Sequence, residues 1–267
     1  MRRDRVRRAH RAGADPYGEC MSAEEPTIAP PRRRSLLPLG IALVIVIVLE
    51  RIVSSAVQRG SVPSAPVQLL LSDLASWVPL VLGVLWYLRD RGATSVVDRL
   101  GLRISVFDVF PAIAMACVAR AVDGFLNLAM FDSTGLSPQP VLGGGVQVAV
   151  LTLTVLGPCI LSPVIEELFF RGTLQPLLAD RIGGEDDRRG NLRLATVLGV
   201  VAAAVLFAAM HVLVANTTVE GAFVTFVSTF VLGLLLGTFV AVTKRLGGAI
   251  LAHVLFNAIA VALTWPR

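Results

Sequence analysis

Apolar residues along this chain gather into seven long runs, at about 36–57, 67–88, 104–131, 146–170, 192–214, 220–243 and 248–264. A bilayer-spanning helix needs roughly 20 predominantly apolar residues, and each run approaches that length. The pattern predicts an all-α, polytopic transmembrane helix bundle of about seven spans. Three parts follow from it: an N-terminal tail at 1–35, a first group of transmembrane helices at 36–145, and a second helix bundle at 146–264. No internal repeat of the kind that builds transporters from two similar halves is visible.

Composition agrees with that pattern. The chain is 55% hydrophobic and only 16% charged over 267 residues, with mean hydropathy +0.73, whereas soluble domains carry about 25% charged residues. The tail is rich in Arg and Pro and holds nothing that can bury a core, so it reads as disordered and cytoplasmic. A cleaved signal peptide is disfavoured, because the leader would be long and no small-residue cleavage site stands out.

The net charge of +5 reflects topology rather than nucleic-acid binding. Nine arginines lie in the tail, four in 89–103, five in 171–193, and Lys244-Arg245 follow the sixth run, while the opposite connections are almost bare. Positive residues favour the cytoplasmic side. Seven spans then put the N-terminus inside and the C-terminus outside, in a multi-pass protein of the plasma membrane whose partners are the lipid bilayer and a peptide or membrane-protein substrate, with no nucleic acid.

Charge inside the runs points to chemistry. An ionisable group at bilayer depth costs at least about 2.5–3.5 kcal/mol and is a functional candidate by default. Glu50-Arg51 sit near the end of the first run, where snorkelling is open to them. Arg120 and Asp123, at i and i+3, can neutralise each other and read as structural. In Glu166-Glu167-Leu168-Phe169-Phe170-Arg171 the two acids point about 100° apart on a helix. Glu167 and Arg171 stand at i and i+4 and are expected to pair, which leaves Glu166 free to act. The cysteines (Cys20, Cys117, Cys159) show no metal-binding or disulfide spacing.

Of three histidines, His10 lies in the tail, and His211 and His253 fall within apolar runs. His253 and Asn257 project from one helix face, as do Phe207 and His211. An acid, two imidazoles and a carboxamide from three helices would form one polar cluster. Such a set has two uses. Glu166, His211 and His253 could hold a zinc ion with an open position for water. Alternatively, without metal, Glu166 and His211 would act as general base on a water, while His253 and Asn257 donate to the oxyanion. Both hydrolyse an amide. The H-E-x-x-H motif of soluble metalloproteases is absent.

The three elements in order, E-E-x-x-x-R, F-x-x-x-H and H-x-x-x-N, resemble the CPBP family, which comprises type II CAAX prenyl endopeptidases, bacteriocin-processing and immunity proteins, and lysostaphin-resistance-like proteins. The resemblance covers about Val146 to Leu263. It implies an all-helical intramembrane endopeptidase acting near the cytosolic face, of metalloprotease or glutamate type. By position, Glu166 would activate water with His211 assisting or ligating, and His253 and Asn257 would stabilise the oxyanion. Eukaryotic-type members remove the last three residues of prenylated CAAX proteins; the short, Arg-rich loops here favour a small peptide or membrane protein as substrate.

The runs also create a difficulty of depth. Counted from Leu192 at 1.5 Å per residue, His211 lies roughly 28 Å along its helix, whereas Glu166 and His253 fall near the inner face. A shared site requires the fourth helix to extend past Arg171 toward Leu178, the fifth to start below the membrane surface, or Pro158 and Pro163 to break the fourth span. The rival functions are a non-catalytic membrane scaffold or immunity-type protein and a proton-coupled transporter.

Overall fold

A computed structural model describes residues 35–62, 64–89, 96–136, 153, 155–183, 189–215 and 217–264. The expected tail, with His10 and Cys20, and the start of the fourth run lie outside the described residues. Two long helices come first, α1 (Leu37–Gln58) and α2 (Ala65–Leu88), followed by the short α3 (Val96–Leu100). A 3₁₀ turn at Val106–Asp108 then leads into α4 (Val109–Phe131). A compound helix occupies Gly157 to Gly183, with α5 (Ser162–Phe169) and α6 (Gln175–Gly183) in its regular parts. The chain closes with α7 (Arg189–Val214), α8 (Val219–Thr243) and α9 (Gly247–Thr264). Among the described residues there is no strand, and six helices are long and apolar enough to cross a membrane. This is a multi-pass helical membrane protein.

Local chemistry sets the helix ends. Ser105 and Asp108 form a reciprocal capping box at the entry to α4, which satisfies two N–H groups that an uncapped start would leave unpaired. Thr218 accepts from the Gly221 N–H at the start of α8, and Lys244, with φ of 58°, ends that helix in the left-handed region. The Asp108 carboxylate also takes two hydrogen bonds from Arg245, tying the α8–α9 turn to the foot of α4.

The helices divide their apolar residues between lipid and core. On α1, Val44, Val48 and Ile52 are exposed, whereas Leu39 and Val46 are fully buried. In a bilayer the exposed set faces hydrocarbon, which is as apolar as the side chains, so association rests on close packing. Gly233 shows this closeness: a Cβ there would come within 3.0 Å of the Ala204 Cβ, where α7 and α8 cross. Phe169, Phe170 and Phe207 are fully buried at the centre. They stack edge to face at 5.2 and 5.1 Å between ring centroids, a favoured arrangement of ring quadrupoles.

Candidate active site

The compound helix carries the acids, and its prolines explain its shape. A proline ring collides with the carbonyl four residues back and offers no N–H. Pro163 and Pro176 impose this on Cys159 and Gly172. The helix answers each with one wide π turn, Gly157–Leu161 and Phe170–Leu174, closed by Ser162 N–H to Gly157 O and Gln175 N–H to Phe170 O. It therefore widens rather than breaks at Pro158 and Pro163, and it runs on through Leu178. Such π turns recur at functional sites.

One consequence reaches across the bundle. The Ser162 N–H is spent on Gly157, and the next residue is Pro163, so the Pro158 carbonyl has no backbone donor. Asn257 Nδ2 supplies one at 2.7 Å from α9. The carboxamide is thereby anchored on the helix that carries Glu166, with its second N–H left over.

Glu166 and Glu167 occupy different environments. Glu167 is fully buried and bonded to Arg171 at 2.7 Å, and Arg171 lies with its guanidinium carbon 4.4 Å from the Phe207 ring centre. The Glu166 side chain keeps 13% exposure and faces a cavity of about 390 Å³. His211, His253 and Asn257 line the same cavity, together with Ser162, Phe207 and Phe256. The expected separation of His211 from Glu166 is not found: their side chains stand 3.8 Å apart, on an α7 that starts at Arg189 and a compound helix that runs past Arg171 to Gly183.

The imidazoles have defined tautomers. A backbone carbonyl can only accept, so His211 Nδ1, 2.8 Å from Phe207 O, carries hydrogen. His253 Nδ1 lies 2.9 Å from Glu167 Oε1, the oxygen that also accepts from Arg171, and it likewise donates. In the neutral rings both Nε2 atoms are then lone pairs. They stand 3.8 Å (His211) and 3.9 Å (His253) from the same oxygen, Glu166 Oε2. Phe207 lies against both rings, with centroids 4.4 and 5.8 Å away.

This donor set suits zinc in type, since a metal-binding imidazole commonly donates its other N–H to a carbonyl or carboxylate. In spacing it is wider than the about 3.3 Å that separates ligands of a tetrahedral ion with bonds of about 2.0–2.1 Å. Among the described residues no group of three or more His, Cys, Asp or Glu is gathered tightly enough for a metal.

Ser162, which the sequence pattern does not single out, lies one helical turn before Glu166 on the cavity wall and accepts from Trp77 Nε1 at 2.8 Å. The i, i+4 spacing from Glu166 was its available signal. The bond from Asn257 to Pro158 had none, because it joins residues 99 positions apart.

Residues 148–259 match the model of the family described as type II CAAX prenyl endopeptidase Rce1-like. No curated protein and no solved structure matches the chain at a significant level.

Proposed function

Because residues 148–259 belong to the Rce1-like type II CAAX prenyl endopeptidase family, a family of membrane proteases, we propose that this protein is an intramembrane endopeptidase. It hydrolyses a peptide bond of a membrane-associated or CAAX-like protein or peptide in the cavity lined by Glu166, His211, His253 and Asn257. The observation that carries this reading is the approach of two imidazole Nε2 atoms to one carboxylate oxygen, at 3.8 and 3.9 Å. These gaps are too long for direct hydrogen bonds and suit a bridging water.

A water there donates to Glu166 Oε2 and to the free lone pair of His211. As its oxygen attacks the scissile carbonyl carbon, its proton passes to this carboxylate–imidazole pair, a general-base step. The carbonyl oxygen becomes an oxyanion. Its donors are the N–H of Asn257 not spent on Pro158 and, when protonated, His253 Nε2. The proton then moves to the leaving nitrogen as the C–N bond breaks. Charge favours the sequence: two carboxylates oppose one guanidinium, and the water's proton shifts the surplus negative charge onto the oxyanion without adding net charge at membrane depth.

Zinc at Glu166, His211 and His253 is the second reading, favoured by the two free Nε2 lone pairs. Bound there, it would polarise the carbonyl and acidify water. The wide spacing of Glu166 from both imidazoles supports the metal-free reading.

The test is peptide release, measured by mass spectrometry, from prenylated and unprenylated C-terminal peptides and from small membrane proteins in proteoliposomes. Cleavage that Glu166→Gln and His211→Ala abolish, with insertion and abundance intact, supports the enzyme. Functional behaviour indifferent to both substitutions points to a scaffold.

A further inference from the structure

Arg120 lies on α4, outside the family-matched stretch, in a helix long and apolar enough to span the membrane. Its side chain is only 13% exposed. One arm of the guanidinium, Nη1, meets Asp123 Oδ2 at 2.8 Å, and the other, Nη2, donates to the backbone carbonyl of Phe256 at 2.5 Å. The guanidinium carbon lies 3.6 Å from the centre of the Phe256 ring. Asp123 is held in turn by Asn127, whose Nδ2 donates to its carbonyl at 2.9 Å.

The ion pair with Asp123 would neutralise Arg120 without any help from α9. The bond to Phe256 O is an additional commitment. That carbonyl belongs to the residue just before Asn257, and Phe256, Asn257 and Ala260 all line the cavity. Holding the carbonyl and the ring together fixes both the tilt and the rotation of this turn of α9. Ala112, Ala116 and Ala119 on α4 are fully buried in the same core, so α4 is a close, firm support. Only a planar fork with separate N–H groups can serve a carboxylate, a carbonyl and a ring face at once; a lysine ammonium is a point charge.

We propose that Arg120 is a positioning residue: through the Phe256 carbonyl and ring it sets the turn of α9 that presents Asn257 to the cavity. Its consequence for turnover rests on the hydrolytic reading above; its consequence for Asn257 does not.

The test separates the two. The chain has four asparagines (Asn127, Asn191, Asn216 and Asn257), so selective ¹⁵N labelling gives a short set of side-chain amide signals. In Arg120→Lys, which keeps a cation opposite Asp123, the Asn257 amide is expected to shift and to exchange with solvent about tenfold faster, as loss of a hydrogen bond to a charged group implies. The signals of Asn191 and Asn216 should hold and the melting temperature should stay near the parent's. For any substrate that is cleaved, kcat falls while KM holds, because the displaced donor acts in the transition state. A folded Arg120→Lys protein with an unmoved Asn257 amide overturns the proposal. Should that variant not fold, Arg120→Met with Asp123→Leu removes both charges and is judged by the same signal. In the unaltered protein, a ¹⁵N–¹³C contact between the Arg120 guanidinium and the Phe256 carbonyl is required, and its absence overturns the proposal without any variant. The amide measurements can be repeated on Glu166→Gln, so a failure of the hydrolytic reading leaves them interpretable.

Discussion

Glu167 and His253, 86 positions apart, meet through a 2.9 Å hydrogen bond from the imidazole Nδ1 to a carboxylate oxygen. That oxygen also receives Arg171 at 2.7 Å. Glu167 is thus more than the counter-ion of an arginine. It orients one of the two imidazoles that face Glu166, and it does so while fully shielded from solvent.

Removing it should therefore harm two things together. Glu167→Ala leaves Arg171 buried without its partner, a change that typically costs roughly 3–5 kcal/mol, and it frees the His253 ring to change tautomer. Chemical denaturation in detergent should show the loss, with weaker turnover in whatever fraction folds. Glu167→Gln keeps an acceptor oxygen and should lose less stability. If Glu167→Ala stays well folded and inactive while Glu166→Ala still turns over, the roles of the two acids are exchanged.

Glu166 should behave in the opposite way. The two imidazole Nε2 atoms stand 3.8 and 3.9 Å from its Oε2, so no direct hydrogen bond to them is lost on substitution. Glu166→Gln is expected to reduce turnover by about 10²–10⁴-fold, the usual reach of a general base, while the melting temperature holds or rises. A large drop in stability would show that the carboxylate supports the fold.

Asn257 and Pro163 should be energetically coupled. Asn257→Ala leaves the half-buried Pro158 carbonyl without a donor, at a cost toward the lower end of the about 1–3 kcal/mol of a fully buried group. Pro163→Ala returns a backbone N–H that can reach this carbonyl. A double-mutant cycle should therefore show Asn257→Ala costing at least about 1 kcal/mol less when residue 163 is alanine. Additive costs would mean that the proline is not why the carboxamide is needed.

Metal dependence distinguishes the two hydrolytic schemes. With water held by Glu166 and His211 alone, exhaustive chelation should leave turnover within about twofold, and purified protein should carry no stoichiometric zinc. Loss of activity on chelation, restored by zinc and accompanied by about one metal per chain, would move Glu166, His211 and His253 into ligand roles.

Several features are legible in the sequence. The length and apolarity of the runs announced a helical membrane bundle, since only closed backbone hydrogen bonding survives in hydrocarbon. The i, i+4 spacing in E-E-x-x-x-R and H-x-x-x-N placed side chains on shared helix faces. Depth does not follow from the apolar pattern, because hydropathy marks where a helix is greasy and not where it begins. The compound helix runs to Gly183 and α7 starts at Arg189, and neither end shows in the apolar pattern. The prolines were visible as a disturbance, but whether a helix breaks, kinks or widens depends on which neighbour can satisfy the freed carbonyl.

Sequence alone determined what is local: the helices, the clustering of positive loops, and the few ionisable groups set among apolar residues. Tertiary structure decided what each of those groups does. Glu167 is sealed in the core and Glu166 opens to a cavity although they are adjacent, because a rotation of about 100° on one helix turns one acid into packed side chains beside Arg171 and the other toward the cavity. The tautomer of His253, the anchoring of Asn257 and the grip of Arg120 on Phe256 all join groups on different helices. Local spacing is encoded by backbone geometry; these partnerships exist only once the helices have packed.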